Sequence, residues 1–237
     1  MTKVKLMMVG IALIACSTKS ASEYPTSEMT ADLTAIATGN GATTVNATLR
    51  EPGTLLTFLQ LTADDKFIAS QGAETKSMGE TSLFGMVSYS AAFNKDAADT
   101  EFGVKLTRTL DSGAPSSSAR LPMPFTLGTL AKNEFSRLET ILVSWTSDPS
   151  ADPMSLVVSG ECIAGVTATP GASATSYTID ANTLKKRTPS DADDKVADTC
   201  DVTITLSRKR SGTVDKAFHS GSFTASQERR VSFKTKP

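Results

Sequence analysis

Residues 139–163 read ETILVSWTSDPSADPMSLVVSGECI, two short apolar runs separated by a polar turn with two prolines. In the first run, Ile141, Val143 and Trp145 fall on one face of an extended chain, because successive side chains of a strand point to opposite sides. The second run, Met154–Ile163, is bounded by turn residues in the same way. The segment therefore predicts two β-strands whose apolar face must be covered by a second sheet.

The same pattern extends in both directions along the chain. Short runs rich in Thr and Val are separated by Gly, Pro, Asp, Asn and Ser, and no stretch keeps the 3.6-residue period of a helix, so the predicted class is all-β. In the N-terminal half, the predicted strands are Ala31–Thr38, Thr44–Arg50, Thr54–Thr62, Lys66–Ser70, Val87–Phe93, Glu101–Arg108 and Ala119–Leu127. In the C-terminal half, they are Thr140–Thr146, Met154–Ile163, Ser176–Ile179, Cys200–Arg208 and Ser222–Thr235.

The spacing of these strands is typical of β-sandwiches and predicts two antiparallel sandwich domains, residues 29–131 and 132–237. One large sandwich or barrel of about 210 residues is the alternative. Between two of the strands, Asp64 and Asp65 predict the turn of a hairpin. Before the first strand, residues 16–28 are polar and rich in Ser and Thr, which predicts a flexible tether.

Two segments of the C-terminal half resemble immunoglobulin-like and fibronectin-type modules. Residues 139–163 are similar to the early strand pair of these modules, and residues 176–184 (SYTIDANTL) to their later strand and tight turn. Cys162 and Cys200 do not bracket Trp145 as an antibody-type disulfide would. The resemblance implies immunoglobulin- or fibronectin-like sandwiches.

The first sixteen residues, MTKVKLMMVGIALIAC, carry two lysines followed by the apolar run Leu6–Ala15. Such an order is typical of a secretory signal peptide. At about 1.5 Å per residue, ten residues reach only about 15 Å as a helix, half of a bilayer core. Residues 1–15 are therefore expected to be a signal peptide that is removed, and not a membrane span.

Leu13, Ile14, Ala15 and Cys16 resemble the lipobox of bacterial lipoproteins, with a branched apolar residue three positions before the cysteine and a small one directly before it. The resemblance implies cleavage before Cys16 and a diacylglycerol group on its thiol. Ser17 follows where an aspartate would resemble an inner-membrane retention signal, which favours the outer membrane. The whole chain also resembles two-domain envelope lipoproteins of Gram-negative bacteria, which implies no activity. An ordinary signal peptide with a chance cysteine is the alternative.

If Cys16 carries lipid, Cys162 and Cys200 remain as an even pair in an exported chain, which predicts one disulfide. A catalytic thiol is the alternative, and it would need a histidine to lower the pKa of the thiol. The chain has one histidine, His219, in a predicted turn. We therefore expect no histidine-based catalysis.

The chain carries 24 Lys+Arg against 25 Asp+Glu, so no overall field marks it as a nucleic-acid binder. The acidic cluster Asp191, Asp193 and Asp194 fails as an EF-hand loop, because Lys195 and Val196 occupy the positions of an oxygen ligand and a glycine. A solvated turn is the favoured interpretation, and a calcium site of another type the alternative. The sequence predicts neither a metal nor a cofactor.

The last 30 residues are basic, and strand alternation separates Val231 and Phe233 from Arg230 and Lys234. Arg208 and Arg210 extend the same patch if the two final strands pair. A patch of Arg208, Arg210, Arg230 and Lys234 would bind an anionic envelope polymer or another envelope protein. The alternative is a solvated surface that discourages edge pairing.

These features together predict a non-catalytic, lipid-anchored protein of the outer membrane, with a binding or structural role through its sandwich surfaces. An envelope hydrolase that uses only carboxyl groups is the alternative function, because a glycosidase pair of that kind needs no histidine.

Overall fold

The computed structural model describes residues 17–62, 64–191 and 193–237. The predicted signal peptide and Cys16 lie outside these residues. Within them, no helix is long and apolar enough to cross a membrane. The chain is nearly all β-structure, with two short 3-10 turns, Ala21–Glu23 and Thr26–Glu28. The predicted all-β class is confirmed.

Eighteen strands are present in the described chain. The first nine are β1 (Ser17–Ser20), β2 (Thr30–Ala37), β3 (Thr43–Arg50), β4 (Thr57–Gln60), β5 (Lys66–Gln71), β6 (Glu74–Ser77), β7 (Gly79–Leu83), β8 (Met86–Phe93) and β9 (Glu101–Thr107). The next nine are β10 (Ala114–Arg120), β11 (Phe125–Leu127), β12 (Glu134–Ser136), β13 (Ile141–Ser147), β14 (Met154–Gly160), β15 (Val166–Ala168), β16 (Ser176–Ile179), β17 (Cys200–Ser211) and β18 (Ser220–Lys236).

One eleven-stranded sheet runs through the described molecule in the order β1-β4-β3-β2-β18-β17-β14-β15. β8 joins it by pairing with β3 and β7, and β12 by pairing with β18. Two smaller sheets, β10-β9-β5-β6 and β11-β13-β16, supply further strands. Their inward side chains cover the apolar faces of the long sheet.

The long hairpin β17–β18 joins β2, in the N-terminal half of the chain, to β12, in the C-terminal half. β17 pairs with β18 from Cys200 opposite Thr235 to Ser211 opposite Thr224. The first half of β18, residues 220–227, also pairs in parallel with β2. Its last residues, 234–236, pair in parallel with β12.

Two hydrophobic cores result, and β18 contributes to both. The first core contains Phe223 and Ala225 together with residues of β2, β3, β5, β8 and β9. The second contains Phe233 together with residues of β13, β14, β16 and β17, and it also includes Phe125. The predicted division into residues 29–131 and 132–237 therefore differs from the observed grouping. β18, from the predicted second domain, also contributes residues to the first core, and Phe125, from the predicted first domain, belongs to the second core.

The segment predicted as a flexible tether, residues 16–28, is part of the fold from Ser17 onward. β1 pairs in parallel with β4, and Ala21 and Thr26 are buried. Tertiary hydrogen bonds hold the segment: the Arg108 guanidinium donates to the carbonyl of Ala21 at 2.8 Å and to the Thr26 hydroxyl at 3.2 Å. The prediction of a tether is wrong for this reason.

Two details of the predicted strands also differ. The predicted strand Ala119–Leu127 is broken between β10 and β11, where Pro122 and Pro124 cannot donate ladder hydrogen bonds. The predicted hairpin turn at Asp64 and Asp65 instead carries the chain between sheets, because β4 and β5 belong to different ones.

Candidate functional site

The N-terminal end of the described chain is fixed between two loops. The backbone N–H of Ser17 donates to the carbonyl of Leu56 at 2.9 Å, and the Ser17 hydroxyl donates to Thr57 Oγ1 at 3.1 Å. The Thr18 hydroxyl donates to the carbonyl of Gly85 at 2.9 Å. The residue that follows Cys16 in sequence is thus bound to the body of the protein.

A charged cluster secures the same end. Lys19 Nζ donates to the Tyr24 hydroxyl and to Glu51, each at 2.9 Å, and Tyr24 donates to Glu51 at 2.8 Å. The hydrogen bonds to Tyr24 and Glu51 raise the pKa of Lys19, and the hydrogen bond from Lys19 lowers the pKa of Glu51. Both groups are therefore charged at neutral pH and neutralise each other.

The predicted disulfide between Cys162 and Cys200 is confirmed. The two Cα atoms are 5.7 Å apart, within the normal range for a disulfide. Cys162 follows β14 and Cys200 begins β17, so the bond joins the ends of two paired strands. A shallow cavity of about 640 Å³ lies beside it, lined in part by Glu161, Arg187 and Asp201.

The acidic turn beside this cavity is held by its own hydrogen bonds. Asp194 accepts from Arg187 Nη1 at 2.6 Å and from the Ser190 backbone N–H at 2.7 Å. Asp191 accepts from the backbone N–H groups of Asp193 and Asp194, each at 3.0 Å. The hydrogen bond from Arg187 is the main reason that the pKa of Asp194 lies well below its usual range. The carboxylates of Asp191 and Asp194 thus cap a loop.

The four basic residues predicted to form one patch lie on two different faces. Arg208 pairs with Gln227 and Arg210 with Ala225, so both point to the side of the sheet that carries Phe233. The other two, Arg230 and Lys234, point to the opposite side. The structure thus brings the four together in one hairpin but not in one patch, because the register sets the face of each residue.

Arg208 is buried, with 1% of its surface exposed, and cannot contact a polymer in solution. Its Nη1 donates to the carbonyl of Met123 at 3.0 Å, and its Nε lies 3.3 Å from Met154 Sδ. Burial lowers the pKa of its guanidinium. The prediction of a surface role for Arg208 is therefore wrong.

Arg210 forms an ion pair with Asp152 where the two cores meet. Its Nε and Nη2 donate to the two carboxylate oxygens of Asp152 at 3.0 and 2.7 Å. These bonds raise the pKa of Arg210 and lower the pKa of Asp152. Arg210 also donates to the carbonyl of Leu121 at 3.2 Å, which ties β17 to the end of β10.

Arg230 and Lys234 are exposed, and acidic residues lie next to both of them. Arg230 lies 3.5 Å from Glu228, and Lys234 stands opposite Asp201 in the ladder. Lys236, further along the same face, pairs with Glu134 at 3.2 Å. The outward face of β18 is therefore a mixed-charge surface.

Two inward polar residues of β18, Gln227 and Arg229, were not predicted from the sequence. Gln227 is fully buried and donates to the carbonyl of Asp96 at 2.7 Å. The Arg229 guanidinium lies 5.3 Å from the centre of the Phe125 ring and donates to the carbonyl of Ala37 at 3.3 Å. Alternation with Val231 and Phe233 would have placed both residues on the inner face.

No protein-family model matches the chain, and no curated protein matches it. Among solved structures, it is similar to the FN1–FN3 domains of chicken CNTN1, with 12% identity over 87% of this chain and a TM-score of 0.29. It is also similar to the Yersinia pseudotuberculosis adhesin InvE, with 11% identity over 86% of this chain and a TM-score of 0.23. Murine CEACAM1b gives 9% identity over 86% of this chain and 98% of its own, with a TM-score of 0.21. The chain spans 64% of the CNTN1 fragment and 58% of InvE. At these low TM-scores, the all-β architecture rests on the strand pairing itself.

Proposed function

We propose that this chain is a lipid-anchored, non-catalytic protein of the bacterial outer membrane, with Cys16 as the acylated residue. The observation that carries the proposal is the lipobox-like sequence Leu13-Ile14-Ala15-Cys16 after a charged and apolar leader. The described residues support it, because Ser17, the residue bonded to Cys16, is hydrogen-bonded to the loop before β4. One acyl chain binds a membrane only marginally, so firm anchoring requires more than one.

Mass spectrometry of the mature N-terminus, purified from the membranes of a bacterium with lipoprotein processing, tests this proposal. We expect an N-terminal peptide that begins at Cys16 and carries the mass of acyl groups. A Cys16→Ala variant should lose the lipid and leave the membrane fraction. A mature chain that begins at another residue, or an unmodified Cys16, would contradict the proposal.

Several carboxyl groups are bound in ion pairs, which makes them poor candidates for the acid of a carboxylate-only hydrolase. Such a hydrolase needs one carboxyl group with a raised pKa to act as the acid. Cationic partners instead lower the pKa of several carboxyl groups, Arg210 at Asp152 and Lys186 at Asp198 among them. These groups are ionised bases in ion pairs, which suits a structural or binding role.

The outward face of β17 and β18 is the binding surface that we propose, with an anionic envelope polymer as its partner. Arg230 and Lys234 are its exposed cations. We expect weak binding to lipopolysaccharide or acidic polysaccharide at low salt, and loss of binding as salt screens the charges. The double variant Arg230→Glu/Lys234→Glu should abolish the binding measured by calorimetry.

Lys105→Glu/Arg120→Glu is the control of equal charge change, on exposed positions of β9 and β10. It should retain the binding. Equal binding by both double variants, or no binding by the parent, would show that Arg230 and Lys234 belong to an ordinary solvated surface.

A further inference from the structure

Five exposed apolar side chains gather at the end of the molecule where the described chain begins. Leu55 and Leu56 lie in the loop before β4, and Leu83, Phe84 and Met86 form the turn between β7 and β8. Phe84 is 85% exposed and Leu55 75%. Of the nine large apolar residues that are exposed in the described ranges, these five belong to two neighbouring loops. We refer to the five as the apolar tip.

Residues 17 and 18 join the two loops of the apolar tip. Ser17 is hydrogen-bonded to Leu56, and Thr18 to Gly85. Consecutive Cα atoms are about 3.8 Å apart, so Cys16 must lie within one residue of this connection. Any lipid on Cys16 would therefore be attached to the chain beside the apolar tip.

Phe84 occupies a backbone position that does not suit an aromatic residue. Leu83 pairs with Met86, so Phe84 and Gly85 form a two-residue hairpin turn, with φ values of 50° and 78°. Turns with two positive φ angles favour Asn and Gly, and a bulky residue there costs about 1 kcal/mol or more. The side chain gains no burial in return, so its position points to a contact outside the chain.

Few unpaired charges surround the tip among the described residues. Lys19 and Glu51 form an ion pair. Glu80 accepts from Gln60 at 2.7 Å and from the Tyr89 hydroxyl at 3.1 Å, but these neutral donors do not balance its carboxylate. A rim with little net charge around exposed leucine, methionine and phenylalanine suits the boundary between lipid headgroups and acyl chains. A strongly acidic rim would be repelled by an anionic leaflet.

The opposite end of the first core leads to the second core. β18 starts beside Thr30 of β2, near the tip end, and runs through Gln227 opposite Ala37 toward Phe233. A membrane in contact with the tip would therefore leave the second core directed away from the lipid surface.

We propose that the apolar tip inserts into the surface of the bilayer that holds the lipid anchor, so that the protein is seated on the membrane and not loosely tethered to it. The proposal rests on the acylation of Cys16 proposed above. The anchor holds the tip at the membrane, and burial of its side chains fixes the orientation of the molecule. The tip loops are then a lipid-binding surface of this chain.

Fluorescence quenching in vesicles tests the proposal. Phe84→Trp places an indole at the tip, and Leu142→Trp is the matched control, because Leu142 is 61% exposed on β13, in the part of the molecule built around the second core. Trp145, the native tryptophan, is buried and gives the same background in both variants. Each lipidated full chain is reconstituted into phosphatidylethanolamine and phosphatidylglycerol vesicles, with and without lipids brominated near the headgroup.

We expect the emission of the Phe84→Trp variant to shift to shorter wavelength and to lose intensity with brominated lipid, and that of the Leu142→Trp variant to stay unchanged. Unchanged emission at residue 84, in protein that floats with the vesicles, would overturn the proposal while leaving acylation intact. A shift that grows with protein density in unbrominated vesicles and shows no bromine quenching would assign the tip to a second copy of the chain, and would also overturn the proposal.

If mass spectrometry shows that Cys16 is unmodified, the proposed anchoring fails separately. The same two variants are then added to vesicles as unanchored protein. Quenching at residue 84 would still support contact between the tip and lipid, and its absence would overturn that contact.

Discussion

Arg108 is the residue that converts a polar N-terminal segment into part of the fold. Its guanidinium donates to the carboxylate of Asp65 at 3.1 Å and to the carbonyls of Ala21 and Tyr24, each at 2.8 Å. The side chains of Arg108 and Asp65 are only 2% and 4% exposed. A buried ion pair contributes little net stability by itself, but removal of one partner leaves the other charge buried and uncompensated.

Arg108→Leu should therefore lower the free energy of unfolding by about 3–5 kcal/mol. Urea unfolding followed by circular dichroism would measure it in the chain from residue 17 onward. Arg120→Leu is the control, because its ion pair with Glu101 is exposed and should contribute less than about 1 kcal/mol. Losses of equal size in the two variants would contradict the role of Arg108.

Asp152 gives the stability a specific dependence on pH. Arg210 lowers the pKa of Asp152 in the folded state, whereas an unfolded aspartate titrates near about 3.9. A lowered folded pKa means that the pair stabilises the protein above the unfolded pKa and loses its effect as the pH falls toward the folded value. The contribution of Asp152 is thus complete at pH 7 and fades in acid.

Asp152→Asn should lower the free energy of unfolding by about 1–2 kcal/mol at pH 7, since charge-assisted hydrogen bonds are lost. The difference from the parent should shrink below about pH 4. Urea unfolding at several pH values would show it. Asp193→Asn, at an exposed position, should change the stability little at any pH. A constant difference between Asp152→Asn and the parent across the range would show that ionisation of Asp152 plays no part.

At the scale of elements, alternation predicted the strands well but not their partners. Ile141, Val143 and Trp145 are all buried, as their spacing on one face indicates. Period-2 alternation also places Arg208 on the face of Leu206, although its charge suggested the surface. Register therefore decided burial where residue type did not.

Long-range hydrogen bonds explain what the sequence could not predict. The burial of Ala21 depends on Arg108, which lies 87 residues further along the chain. No local pattern in a Ser- and Thr-rich segment announces such a contact. The proposed lipidation of Cys16 is the opposite case, because the motif that suggests it is local in the sequence.

The disulfide between Cys162 and Cys200 fastens the end of the β14–β17 ladder, next to the acidic turn. Cys162→Ser/Cys200→Ser should lower the free energy of unfolding by about 2–4 kcal/mol, mainly because the unfolded chain gains freedom. Thermal unfolding of the double variant and the parent would measure the change. The parent treated with reductant should show the same loss, and an unchanged midpoint in both would contradict a stabilising role.

At the scale of the whole molecule, the hairpin β17–β18 makes the two cores one cooperative unit. β18 carries Phe223 in the first core and Phe233 in the second, and it pairs with β17 over 12 residues without a break. Separate unfolding of the first core would strand half of β18 without β2 and expose its backbone groups. The cost of that partial state favours a single transition.

Trp145 tests this coupling, because it reports on the second core while a mutation weakens the first. Leu33→Ala removes a fully buried side chain from the first core and should cost about 2–5 kcal/mol. If the two cores unfold together, the urea midpoint seen by Trp145 fluorescence should fall by the same amount as the midpoint seen by circular dichroism. A Trp145 midpoint equal to that of the parent, together with an earlier transition in circular dichroism, would show that the two cores unfold independently. β18 would then connect two domains that unfold separately.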